Sequence, residues 1–100
     1  MNDFHNFIVA PSVTIASHLE WQLRREFKFE RKPIHITGVR DLMHMAGLDR
    51  GNVFVPVSSR EFLSMQEWPQ FVKRARLEWE LRFIRGTQSM YSKWIEVYLP

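Results

Sequence analysis

Apolar residues in this chain come in short unbroken runs, separated by stretches in which they recur every third or fourth position. Runs of the first kind predict strands and spacings of the second kind predict helices, so strands and helices are expected to alternate. Phe7-Ile8-Val9-Ala10 is the clearest run. Four apolar residues in a row suit a strand covered on both faces, because a strand with a wet face would alternate. Pro11 has no N–H to give to a ladder and ends it. Ser12 is placed to cap a helix through its hydroxyl, and Ile15, Ala16, Leu19, Leu23 and Phe27 then form one packing stripe. Glu20, Arg24 and Arg25 lie away from that stripe. Trp21 also falls outside it and is expected on the outer side.

Pro33 opens a second run, Ile34-His35-Ile36, which ends at Thr37-Gly38. Val39, Leu42, Met43 and Ala46 predict a short helix that Gly47 can stop in a left-handed conformation. Turn residues Asp49-Arg50-Gly51-Asn52 lead into Val53-Phe54-Val55-Pro56-Val57, where Pro56 marks the last residues of a strand or an unpaired edge. Ser58 followed by Glu61 matches a capping box and predicts a helical turn carrying Phe62, Leu63 and Met65. A new helix is expected from Pro69 to Arg85, the longest in the chain, because proline is tolerated in a first helical turn. That helix is apolar on two sides. Val72, Ala75, Trp79 and Phe83 form one stripe, while Leu77, Leu81 and Ile84 form another. Beyond Gly86, Ile95, Val97 and Leu99 alternate with Trp94, Glu96 and Tyr98, the period of a final strand with one exposed face.

The order predicts a single α/β domain over residues 1–100, a two- or three-layer sandwich with right-handed crossovers. Three parallel strands are expected, plus a C-terminal edge strand of either direction, with a long helix near the C-terminus. A length of 100 residues, 45% apolar, supports one core. The absence of cysteine excludes disulfides and zinc–thiolate sites. The N-terminus lacks the pattern of a signal peptide, and no run approaches the roughly 20 apolar residues that cross a bilayer. A soluble, cytoplasmic protein without membrane contact is the expectation. The net charge of +3 is small and interleaved with glutamate, which reads chiefly as solvated helix faces.

Ligands of open α/β sheets bind beyond the carboxyl ends of the strands, where helix N-termini point their N–H groups outward. Ser12, Thr14, Thr37, Gly38, Arg40, Ser58, Ser59 and Arg60 fall there and would suit a nucleotide or phosphate. The opening strand–turn–helix is similar to the first unit of many nucleotide-binding, Rossmann-like α/β proteins. Neither glycine-rich phosphate signature is present, however, so the hydroxyls are expected to act as helix caps. His5, His18, His35 and His44 lack helical ligand spacing, Ser12 lacks the glycines of a nucleophile elbow, and the glutamates look like surface charges. No catalytic residue, metal or cofactor is expected.

Four tryptophans and eight phenylalanines are more than a small core readily absorbs. Trp21, Leu77, Leu81, Ile84, Arg85, Trp94 and Tyr98 are therefore the candidate interface, since Trp, Tyr and Arg dominate interface hot spots; the alternative for Trp94 and Tyr98 is that they face a covering helix. The partner would be another protein or a second copy of the chain, as for a small accessory or inhibitor protein of a phage or mobile element acting on a host protein. Arg24, Arg25, Lys28, Arg31 and Lys32 offer a third possibility, a nucleic-acid surface.

Overall fold

The computed structural model describes residues 5–45, 51–57, 67–81 and 92–98. In chain order these form β1 (His5–Val9), α1 (Val13–Leu23), β2 (Ile34–Ile36), a 3-10 helix (Val39–Met45), β3 (Gly51–Val57), α2 (Trp68–Trp79) and β4 (Trp94–Tyr98). Among the described residues the strands make one sheet in the order β2-β1-β3-β4, and every neighbouring pair is parallel. β4 takes the edge beyond β3, parallel to it, which fixes the position and direction that the sequence left open.

Strand parity divides the core into two layers. Phe7 and Val9, with Ile36, Val53 and Val55, face the 3-10 helix and α2, where Leu42, Met45, Ala75 and Trp79 meet them. Ile8, Ala10 and Phe54 face the other way, onto Ala16, Leu19 and Leu23 of α1. The sheet is thus covered on both sides, which is why its central strands read as continuous apolar runs. The chain moves one way from β1 to β2 and the opposite way from β2 to β3 and on to β4. Crossovers of a single hand then place α1 on one face and the later helices on the other.

Pro56 sits inside a central strand, and the register explains why it is tolerated. Val53 gives its N–H to the Lys93 carbonyl, so odd-numbered residues of β3 point their backbone groups at β4 and even-numbered ones point at β1. Continued pairing would require an N–H at position 56 to bond the Val9 carbonyl. Proline has none, and the β1–β3 register stops at Ile8↔Phe54 while β3 stays paired with β4 to Val57. Pro56 therefore stands at the strand's last residues, and it ends the contact between β1 and β3 on the carboxyl side.

Several boundaries differ from the sequence expectation. α1 stops at Leu23 because the next turn tightens: Arg25 bonds the Gln22 carbonyl and Glu26 the Leu23 carbonyl. Phe27 consequently leaves the helical stripe and meets Phe54 edge-on at 5.3 Å. The helix expected after Val39 is a 3-10 helix, whose tighter turn is set by the Asp41 N–H bonding the Gly38 carbonyl. β3 begins at Gly51, not Val53. A Cβ there would collide with the His5 carbonyl oxygen, so the expected turn glycine is instead a close-approach position in the sheet. The long C-terminal helix is not found among the described residues: α2 has 12 residues, scarcely more than the 11 of α1. The helical turn expected after Ser58, and the helix stops at Gly47 and Gly86, lie outside the described residues. No helix among the described residues is long and apolar enough to cross a membrane.

Candidate functional site

Of the strand-end ligand residues, Ser12 acts as a helix cap. Ser12 has extended backbone angles, and its Oγ accepts from the Ile15 N–H at 3.2 Å while its carbonyl accepts from Ala16. Thr14 is exposed in the first turn of α1. Thr37 is more revealing, because both its backbone N–H (2.8 Å) and its Oγ1 (3.2 Å) donate to Asp41 Oδ2. The chain's own carboxylate occupies the donors that a phosphate would need. Arg40 is exposed, and Ser58, Ser59 and Arg60 lie outside the described residues.

A cleft of about 840 Å³ nevertheless opens at this end of the sheet, between Pro11, Thr37, Gly38 and Val39 on one side and Glu67, Trp68, Gln70, Phe71 and Arg74 of α2 and its start on the other. Thr37 and Gly38 are the two predicted residues that it contains. Trp68 packs against both core layers, as a residue at the carboxyl edge of the sheet can, and meets Phe71 at 6.1 Å between ring centroids. Arg74 makes no ion pair among the described residues. The cleft is mixed in character, with an apolar floor and the Arg74 guanidinium at its rim. Gln70 and Arg74 were not foreseen. A signal for them existed, since a helix that follows β3 must begin at the carboxyl edge and bring its first turns there.

Gln70, Arg74 and Leu77 follow one another at intervals of four and three and share one side of α2, and Leu81, two residues past its end, continues the spacing. Their lower half is apolar and open: Leu77 is 55% and Leu81 45% exposed. The opposite side of α2 carries the buried Ala75 and Trp79. Arg76 pairs with Glu80 at 3.4 Å, an exposed i, i+4 contact of small energetic weight. Ile84 and Arg85, the continuation of this stripe in sequence, lie outside the described residues.

The rest of the predicted interface is not contiguous with it. Trp21 lies on α1, across the sheet, 57% exposed. Arg25, from the turn after α1, stacks 3.9 Å above its ring and His18 of α1 lies beside it at 6.5 Å, so its surface is partly covered by neighbours close in the chain. Trp94 does belong to the α2 side of β4, but α2 reaches it: Trp79 lies 5.5 Å away and Arg76 sits 5.2 Å from its ring. The covering helix, rather than solvent, takes that aromatic. Tyr98 is exposed on the same side of β4, near its carboxyl end.

The basic residues suggested for nucleic acid are scattered in role. Arg24 is held by Glu20 at 3.1 Å, and Glu20 is held in turn by His35 at 2.8 Å across the α1–β2 contact. Burial acts to raise the Glu20 pKa, but the hydrogen bonds and charges of His35 and Arg24 outweigh it and hold the carboxyl below its usual range. No group of three His, Asp or Glu residues able to hold a metal occurs among the described residues.

Comparison with protein families, with curated proteins and with solved structures finds no match to this chain.

Proposed function

We propose that this protein is a non-enzymatic interaction module that docks another protein along the outer side of α2. The observation that carries the reading is the pair Leu77 and Leu81, half exposed one turn apart, on a helix whose inner side already packs on the sheet. The cleft at the top of the same stripe supports it, since hot-spot side chains seat in partly apolar pockets beside a guanidinium. Lys73 and Arg74 border the stripe without an ion pair among the described residues, so the partner is expected to present an apolar ridge flanked by carboxylates. A nucleotide or phosphate at the strand ends is the weaker reading, because Asp41 fills the Thr37 donors.

Affinity capture from a lysate, repeated with Leu81→Glu, tests the proposal, alongside sedimentation to detect a second copy as the partner. A partner retained by the wild type and lost by the variant is expected. Equal recovery of that partner by both would overturn it.

A further inference from the structure

At the amino end of the sheet, on the α1 side, two asparagines stand side by side. Asn6 of β1 and Asn52 of β3 are direct partners in the parallel register. Their parity is that of Ile8 and Phe54, so both carboxamides project to the face that α1 covers further along. Asparagine is disfavoured in strands, and the next residues of the same parity, Ile8 and Phe54, are fully buried. Neither carboxamide makes a hydrogen bond among the described residues. Both residues are half-buried, and a polar pair at an otherwise apolar strand position is the kind of local inconsistency that binding sites create.

The surroundings fit one class of ligand. A cleft of about 360 Å³ lies over the two asparagines, walled by Phe27, Phe29 and Phe54 and bordered by Lys28. Phe27 and Phe29 each meet Phe54 edge-on, at 5.3 and 5.9 Å, which fixes their rings. Phe27 lies nearly parallel to Phe29, at 6.4 Å between centroids, and remains 40% exposed. Lys28 makes no ion pair among the described residues. Glu30 and Arg31 also line the cleft, and residues 25–32 carry four basic and two acidic side chains, so the segment stays basic. A carboxamide presents a donor and an acceptor side by side, the complement of a nucleobase edge. Aromatic faces stack on bases, and a lysine contacts phosphate.

We propose that this cleft binds a nucleobase of a nucleotide, free or within a single strand. Asn6 and Asn52 read its edge, Phe27 stacks on it and Lys28 meets its phosphate. The site is separate from the α2 stripe, so either assignment can fail alone.

The test is titration of the wild-type chain with each of the four nucleoside monophosphates and with short single-stranded oligonucleotides, followed through the side-chain amide resonances of Asn6 and Asn52. Saturable movement of those resonances is expected. Asn52→Leu should weaken binding on the order of tenfold, the scale of losing a bidentate base contact. Lys28→Gln should weaken it less and flatten its salt dependence. Monophosphate binding identifies a free nucleotide as sufficient, and oligonucleotide binding that needs both Asn52 and Lys28 identifies a strand. Because the wild-type resonances report directly, the result does not depend on any variant folding. Still resonances with every ligand would overturn the proposal, as would oligonucleotide binding that Asn52→Leu leaves intact.

Discussion

α1 and α2 are almost equal in length and cover opposite faces of one sheet, yet they dispose of their apolar residues differently. α1 lies on its face of the sheet with Ala16, Leu19 and Leu23 fully buried, and its outward tryptophan is capped by Arg25. α2 shares its face with the 3-10 helix, and the two pack side by side. Covering half a face uses only a narrow stripe of α2, chiefly Ala75 and Trp79, and leaves Leu77 and Leu81 turned outward. Among the described residues nothing encloses these two leucines, whereas Ala16, Leu19 and Leu23 on the apolar side of α1 are fully enclosed. The 3-10 helix adds to the open apolar surface, with Val39 and Met43 both exposed.

The sharpest way to break this contrast is to truncate a leucine on each helix. Leu19→Ala should cost about 2–5 kcal/mol, because a fully buried leucine loses both its transfer energy and its packing. Denaturant unfolding measures it, and a cost near zero would mean that α1 does not own the core assigned to it. Next in size is the Glu20 network. The folded-state pKa of Glu20 is depressed, so its contribution is present above the ordinary glutamate pKa of about 4.3 and lost as pH falls through the folded value. Glu20→Gln should therefore be less stable than wild type by about 1 kcal/mol at neutral pH. The two proteins should converge in acid; a constant gap down to the acid limit would remove the ion pair from the account. Ser12→Ala should cost about 1 kcal/mol through loss of the N-cap, with Ser12→Gly milder. α2 has no side-chain cap at Glu67, so Glu67→Ala should change stability by less than about 0.5 kcal/mol. Smallest of all, Leu77→Ala should also stay within about 0.5 kcal/mol, as exposed positions do.

Much of the fold was legible from local chemistry. The unbroken run at Phe7, the cap at Ser12 and the alternation after Trp94 each reported a condition that the finished sheet also imposes. What could not be read was contingent on contacts distant in the chain. Phe27 continues the α1 spacing perfectly, and only the presence of Phe54 opposite makes it more useful off the helix than on it. Gly51 read as a turn because nothing local says that the His5 carbonyl will crowd it. For Trp94 the sequence left solvent and a covering helix both open, because the strand pattern does not reveal that Trp79 will lie over it. The same limit applied to the sites. Thr37 was placed correctly at the strand end, but its donors are consumed by a side chain four residues on. Asn6 and Asn52 are 46 positions apart, and only the parallel register makes them neighbours. Leu77 and Leu81, by contrast, were visible as a second apolar stripe, because helical spacing alone places them away from Ala75 and Trp79.

The account rests on the outer side of α2 serving another molecule rather than its own core. The direct measurement is the melting temperature of the double variant Leu77→Ala/Leu81→Ala, taken together with its recovery of the protein partner that the wild type captures. An unchanged melting temperature with the partner lost is the predicted result. A melting temperature lowered by several degrees, with the partner still recovered, would place both leucines in the protein's own core and contradict the claim.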